Sequence, residues 1–276
     1  MKILALITHT FRELTAKATL IVLASISTLI IVFVLLAISA RETEGGITLL
    51  LFGNPMGLEM PLEKFSEFIE GMESTFAGGL FGGLVLFGVF ATAGIVPDML
   101  EKGTVDLYLS KPIARWELLL GKYLGAVTVV FANVLYFIGA LWLIFGVKLG
   151  VWNVQFLLSV FTLTFVFASL YSIVANLGVA SRNTAISIIG AFLYLFVVSG
   201  LLEHRARTLY LVSENSIYRT FIDCLYYALP QLSSVQDEIK QQITHETVRW
   251  EPFLQCLVSS MVIFAGGASI LRKRDF

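Results

Sequence analysis

Residues 18–40 read ATLIVLASISTLIIVFVLLAISA, with no Asp, Glu, Lys or Arg among them. A helix needs about 20 apolar residues to cross roughly 30 Å of hydrocarbon, so this run is long enough for one crossing. Its end, LLAISA ahead of Arg41, has the small residues of a signal-peptide cleavage site. A signal core, however, runs to only about 7–15 residues. This run is longer and follows a head that contains Glu13, so it reads as an uncleaved span.

Outward from it, five further charge-free stretches cover residues 74–97, 123–147, 149–181, 183–202 and 252–271. The third of these is too long for one straight crossing, and its ends are assigned to interfacial turns. Spans are therefore expected at about 18–40, 76–97, 123–147, 154–178, 183–202 and 252–271. The composition agrees: of 276 residues, 57% are hydrophobic and 14% charged, against about 25% charged in a soluble domain. That balance excludes an ordinary soluble enzyme and a disordered chain, and two cysteines cannot staple a secreted module. Only helices satisfy every backbone hydrogen bond within one segment in lipid, and the even alternation of a barrel is absent. The expected fold is an all-α membrane protein forming one transmembrane domain over 1–276.

Six spans place both termini on one side. If that side is the cytoplasm, the inner segments (1–17, 98–122, Arg182 and 272–276) hold 11 Lys or Arg in 48 residues, and the outer segments hold 8 in 83. Basic residues are thus more than twice as dense inside, as the positive-inside rule requires. The expected location is the plasma (inner) membrane, multi-pass, with both termini cytoplasmic. The segment 203–251 is then extracytoplasmic. Within it, CLYYALPQLSSVQ (224–236) is too short to span and contains Pro230, which suits a re-entrant or interfacial segment.

All six spans can be drawn without an ionisable Asp, Glu, Lys, Arg or His; His9, His204 and His245 lie in flanking segments. Ion-driven transporters place such groups within their spans, so a secondary transporter is disfavoured. No HExxH, paired carboxylate or Ser-Lys arrangement marks an intramembrane hydrolase, and no G-x-x-x-x-G-K-[ST] loop binds nucleotide. The chain is expected not to be an enzyme and to carry no cofactor, any ATP being bound by a partner subunit. Polar residues at Asn133, Tyr136, Thr162, Thr164, Tyr171 and Asn176 read first as interhelical hydrogen-bonding groups and second as substrate contacts. In the second span, Gly78 with Gly82 and Gly79 with Gly83 stand four residues apart, a spacing that lets another backbone approach, within the subunit or across a dimer interface.

On the inner side, residues 1–17 place Leu4, Ile7, Phe11 and Leu14 at helical spacing with Lys2, Arg12, Glu13 and Lys17 on other faces, which describes an amphipathic interfacial helix. The longest inner loop, 98–122, mixes Asp98, Glu101, Lys102, Asp106, Lys111, Arg115, Glu117 and Lys122 with Leu100, Val105, Leu107 and Leu109. It reads as short amphipathic helices broken at Gly103 and at Lys111-Pro112, a surface able to dock a soluble partner.

The stretch EKGTVDLYLSKPIARWELLLGKYLG (101–125), directly after a glycine-rich span, resembles the permease subunits of ABC-2-type exporters, in particular the membrane subunit of the nitrous-oxide-reductase maturation transporter. The THTFRELTAKATL entry to the first span, LYYALPQLS (225–233) and the terminal RKRDF agree with it. The resemblance implies a homodimer, or a heterodimer with a related permease, bound to two ABC ATPase subunits. It also implies ATPase coupling through Glu101, Gly103, Asp106, Lys111, Pro112, Arg115, Gly121 and Lys122, and a substrate route between the two copies lined by the first, second and fifth spans. The acidic loop 41–73 and the segment 203–251 match no motif of that family, so the substrate does not carry over.

Outside, Cys224 and Cys256 could pair or pack singly, and the histidines show no metal-ligand spacing. Glu63, Glu67 and Glu70 with Phe65, Phe68 and Ile69 describe a short amphipathic helix, for solubility or for an extracytoplasmic partner. No nucleic-acid partner is expected. The function read from these features is the permease subunit of an ATP-driven ABC transporter, an exporter working by alternating access. The alternative is an ATPase-coupled membrane scaffold that regulates an extracytoplasmic machine without passing a solute.

Overall fold

The computed structural model describes residues 2–16, 18–43, 46–101, 103, 114–212 and 215–273. Among the described residues, ten α-helices (one of them with a π-helical turn) and one small sheet follow in chain order. Helix α1 (Lys2–Ala16) meets α2 (Thr19–Ala37) at Ala18, whose φ of 56° breaks the helical path between them. α2 is apolar on every side, as a lipid-embedded helix must be.

The first run does not stay helical to its end: Ile38–Ala40 open a three-stranded antiparallel sheet of β1 (Ile38–Thr43), β2 (Gly46–Leu51) and β3 (Asn54–Met60). Ile38 faces Leu51 and Thr48 faces Glu59. Phe52 and Gly53 turn the β2–β3 hairpin with positive φ at both positions, the twist a two-residue hairpin loop requires. The all-α reading did not include this sheet, for a physical reason. β2 is covered on both faces, with Ile47, Thr48, Leu49 and Leu50 all buried, so its sequence lacks the alternation of a half-exposed strand.

Helix α3 (Leu62–Thr92) corrects a second expectation. The acidic helix around Glu63–Glu70 and the second span are one continuous 31-residue rod. Gly71 lies inside it; a single mid-helix glycine costs only about 1 kcal/mol and does not end a helix. After Thr92 a short turn leads to α4 (Ile95–Met99).

α5 (Arg115–Leu149) is 35 residues long, about 52 Å, and stops at Gly150 in the left-handed conformation. α6 (Val154–Ser181) starts at Asn153, whose side-chain oxygen accepts from Gln155 N and Phe156 N, and it forms the centre of the core with Phe156, Leu163, Phe167, Leu170 and Tyr171. α7 (Thr184–Glu203) widens into one π-helical turn at Tyr194–Val198. α8 (Ser216–Ala228) and α9 (Leu232–Ile243) precede the last helix, α10 (Glu251–Lys273). Among the described residues, α2, α5, α6, α7 and α10 are each long and apolar enough to cross a membrane. The second expected span, 76–97, falls on the end of α3 and on α4.

The polar residues inside the apolar helices mostly join helices. Asn133 on α5 bonds Ser27 on α2 (3.0 Å), Tyr136 bonds Thr28 (3.0 Å), Tyr171 on α6 donates to Thr92 O (3.0 Å), and Asn176 donates to Ile263 O on α10 (2.9 Å). Thr162 and Thr164 instead bond carbonyls of their own helix.

Candidate functional site

Two layers of the molecule hold its charged and glycine-bearing features, one at each end of the bundle. At the α1 end, α1 lies along the start of α5. A Cβ on Gly121 would sit 2.6 Å from Leu6, and one on Gly125 would sit 2.7 Å from Thr10, so the two glycines are what permit this approach. One turn along, the Lys122 ammonium, 1% exposed, donates to the Glu13 carboxylate at 2.5 Å. The docked face of α1 is therefore Leu6, Thr10 and Leu14, a stripe turned from the expected one: Phe11 is exposed. The glycines of α5 select small and slender neighbours, and the bulky Phe11 is left outside.

Arg115 opens α5 beside the end of α10, and its Nη1 donates to Leu271 O (3.2 Å) and Arg272 O (3.5 Å). Glu117 completes the start of the helix by accepting from Ala114 N (2.9 Å). Glu101 is exposed, and Gly103 has φ of 90°, a conformation that favours glycine. Asp106, Lys111 and Pro112 lie outside the described residues. The structure thus brings Arg115, Gly121 and Lys122 together on one helix, with Gly121 and Lys122 committed to α1.

The four glycines of α3 divide into two faces. Gly78 faces the Lys240 and Gln236 side chains of α9, and Gly82 faces the Phe196 ring of α7 at 3.8 Å. Gly79 and Gly83 have nothing within 4 Å of a notional Cβ. On that open side a cavity of about 540 Å³ is lined by Phe68, Gly71, Met72, Thr75, Phe76 and Gly79.

At the sheet end, Glu73 departs from the exposed acidic set in which the sequence placed it. It is fully buried, on the part of α3 that precedes the charge-free stretch. Its Oε2 accepts from Asn153 Nδ2 (2.8 Å), and the same amide nitrogen donates to Ile243 O (3.0 Å) at the end of α9. Among the described residues its Oε1 has no hydrogen-bond partner. Burial pushes the carboxyl up to about 7, the Asn153 hydrogen bond opposes the shift, and the Glu70 charge adds to it. Glu73 and Asn153 thus tie α3, α6 and α9 at one point. At its other end α9 begins beside α7: Tyr194 OH donates to Pro230 O (2.5 Å), and Ser199 bonds Ser233 (2.7 Å). Tyr194 lies nine residues before the end of α7, about 13 Å along its axis. The α8–α9 turn therefore sits well inside the bundle, and Leu232, Val235, Ile239 and Ile243 of α9 are core residues.

A family model of ABC-2 family transporter proteins matches residues 4–276, from the third residue of α1 to the last residue of the chain. The chain belongs to the ABC-2 transporter family. No curated protein matches it. It is accordingly a multi-pass ABC permease subunit, of a family whose membrane subunits generally work with ABC ATPase partners.

Within this ABC-2 permease, Cys224 is exposed, Cys256 is buried, and both are free thiols. Among the described residues no three His, Cys, Asp or Glu are grouped to hold a metal. Sequence reasoning missed the Arg205 cluster at the sheet end. Asp223 accepts from Arg205 Nε (2.8 Å) and Tyr210 OH (2.6 Å), while the Arg205 guanidinium lies 3.6 Å over the Tyr226 ring. The two donors hold the Asp223 carboxyl below its ordinary value. It also missed Glu238, buried and paired with Arg249 at 2.8 Å. Neither is visible as a motif, because each joins residues of 203–251 through a fold of the chain that only the structure supplies.

Proposed function

We propose that this permease is one half of the membrane part of an exporter, paired with a second permease copy and driven by two ABC ATPase subunits bound at the α1 end. In this arrangement the α1 end faces the cytoplasm, the chain sits in the plasma (inner) membrane, and the sheet and the α8–α9 pair face outward, with the pair re-entering the membrane at Leu229–Gln231. The open Gly79–Gly83 side of α3 and the exposed sides of α2 and α7 would line the route between copies. Alternating access then means that a movement of the ATPase subunits is passed to the spans.

The observation that carries this reading is the joint between α1 and α5. Buried Lys122 held by Glu13, with Gly121 and Gly125 against Leu6 and Thr10, makes the segment after residue 114 and the whole of α1 move as one body. A push delivered between Glu101 and Arg115 therefore reaches both α2, through α1, and α5. The likeness of residues 101–125 to the family's coupling region supports the assignment of Glu101, Gly103, Asp106, Lys111, Pro112, Arg115, Gly121 and Lys122 to that task. Exposed Glu101 gives the cleanest test, since Arg115 also holds α10. Glu101→Lys is expected to leave the complex assembled while separating ATP hydrolysis from transport; unchanged transport by an assembled complex removes the coupling role.

One observation favours the scaffold alternative: β3 is an edge strand, paired on one side to β2, and an edge can accept a strand from an extracytoplasmic protein. Hydrolysis stimulated by a small solute supports the exporter, and hydrolysis stimulated by a bound outer protein alone supports the scaffold.

A further inference from the structure

α2 and α5 carry polar side chains at the depth where a span has least use for them. Thr28 is the tenth of the 19 residues of α2, and Tyr136 stands next to the middle of the charge-free run 123–147 in α5. Their hydroxyls meet at 3.0 Å, and both residues are exposed, Tyr136 to 45%. Tyrosine ordinarily gathers at the membrane–water interfaces, not at the midplane. Nor is the pair needed to join the helices, because buried Ser27 and Asn133 already do so at 3.0 Å. Beside the pair a groove of about 570 Å³ runs along α2, lined by Ile21, Ala24, Ser25, Thr28, Leu29 and Val32. Its volume is that of a small-ligand site.

The hydroxyl protons decide what the pair can recognise. A threonine hydroxyl has one proton. That of Thr28 goes to Ala24 O at 2.7 Å, so Tyr136 is the donor in the bond between the two hydroxyls. With both protons committed, the two oxygens keep only lone pairs, and the pair offers itself as an acceptor. Charge is excluded by the sequence itself: residues 18–40, 74–97 and 123–147 contain no Asp, Glu, Lys, Arg or His. An ionised ligand would find no counter-charge on these spans, at a depth where a charge costs about 2.5 kcal/mol or more.

We propose that this groove binds an uncharged amphiphile from the bilayer, whose hydroxyl or amide N–H donates to the Thr28–Tyr136 pair while its apolar body lies along Ile21, Leu29 and Val32. A second copy related by a two-fold axis would bring the same pair, acceptor against acceptor, whereas such a ligand brings the missing donor. The proposal needs α2 and α5 to cross the bilayer. It does not depend on which end is cytoplasmic or on transport, so it stands or falls separately from the exporter reading.

The test uses the full chain, with whatever subunits co-purify, in lipid nanodiscs exposed to a diazirine-bearing octanol, to its methyl ether or to the matching octanoate. After illumination, mass spectrometry locates the label. The octanol is expected to mark α2 and the stretch around Tyr136 about fivefold more than the ether or the octanoate, the effect of one hydrogen bond of about 1 kcal/mol. The double variant Thr28→Val, Tyr136→Phe removes both hydroxyls and keeps their shapes, a change the fold tolerates because no partner is left unsatisfied. It is expected to elute as the parent does, to lower octanol labelling to the level of the ether and to leave the ether unchanged. Equal labelling by octanol and ether, octanoate labelling that matches the octanol, or a double variant that labels as the parent does would each overturn the site. Spontaneous cross-linking of Ser25→Cys between two copies, with the label absent from the paired form, would show that a second copy covers the groove and would overturn it too.

Discussion

Glu73 is a carboxyl kept from water with one hydrogen bond to a neutral amide, and such a group holds its proton to a higher pH than a free glutamate. The sign of the consequence follows from linkage. Its folded pKa, pushed up to about 7, lies above the unfolded value of 4.5, so between those values the folded chain binds more protons and stability falls as pH rises. Above about pH 7 the loss is complete, on the order of 3 kcal/mol. Glu73→Gln keeps an acceptor for Asn153 and removes the charge. It is expected to unfold at a higher temperature than the parent at pH 8, with the two converging near pH 4.5; a variant that follows the parent at every pH would show that Glu73 is solvated. At the α1 end the prediction rests on unequal burial. Lys122 is 1% exposed and Glu13 20%, so removing the acid strands a buried cation, whereas removing the lysine leaves a carboxylate that water can reach. Glu13→Ala is expected to cost about 3 kcal/mol and Lys122→Met about 1 kcal/mol, read as thermal unfolding in detergent. Neither role was legible in the sequence. Glu73 stands in a run of acids that otherwise look alike, and Glu13 and Lys122 are separated by more than a hundred residues; composition shows that charge is present but not which helix face meets which.

Elements were legible in proportion to how much of their signal is local. The charge-free runs gave the apolar helices, because a span is defined by its own composition. The α8–α9 break at Leu229–Gln231 was legible from Pro230, but the burial of α9 was not: its polar residues Gln236, Asp237, Lys240 and Gln241 hide a stripe of Leu232, Val235, Ile239 and Ile243 that docks between α3 and α6. The sheet failed to show because its central strand is covered on both faces. The α1–α5 contact lies between these cases. Gly121 and Gly125 have the four-residue spacing of a close helix approach, yet the sequence does not say that α1 is the partner. Gly125→Val puts branched carbons where Thr10 stands and is expected to undock α1, at a cost of about 2 kcal/mol. Trypsin should then cut at Arg12 in the folded variant and leave the parent intact there. Equal resistance in both would show that α1 is held elsewhere.

For the whole molecule, the arrangement of ends can be checked without any knowledge of the cargo. Lys122–Glu13, Arg205–Asp223 and Arg249–Glu238 each pair both signs, so the ends differ in the density of Lys and Arg: 11 in the 48 residues of segments 1–17, 98–122, 182 and 272–276, and 8 in the 83 residues of the other segments. An asymmetry of this kind orients a multi-pass chain with its basic end inward, because positive residues near span ends resist translocation. The unpaired Cys224 is exposed and belongs to the sheet end, so the native chain already carries one reporter. Glu67 on α3 and Lys273 on α10 are exposed positions at opposite ends and accept cysteine without loss of packing. With an impermeant thiol reagent on intact cells, native Cys224 and Glu67→Cys in a Cys224→Ser background should both label. Lys273→Cys in the same background should label only after the membrane is opened. The three positions test different things. The reverse pattern would mean that the whole bundle is inverted, with the α1–α5 joint outside and out of reach of ATP. Labelling of Glu67→Cys and Lys273→Cys alike in intact cells would mean an even number of crossings between them, so that one of α5, α6, α7, α10 or the α3–α4 passage fails to cross or the α8–α9 pair completes a crossing. α9 is fixed at both ends on the same bundle, by Tyr194 at Pro230 and by Asn153 at Ile243, so the proposed re-entrant pair is expected to enter and return on one side and the two reporters to separate.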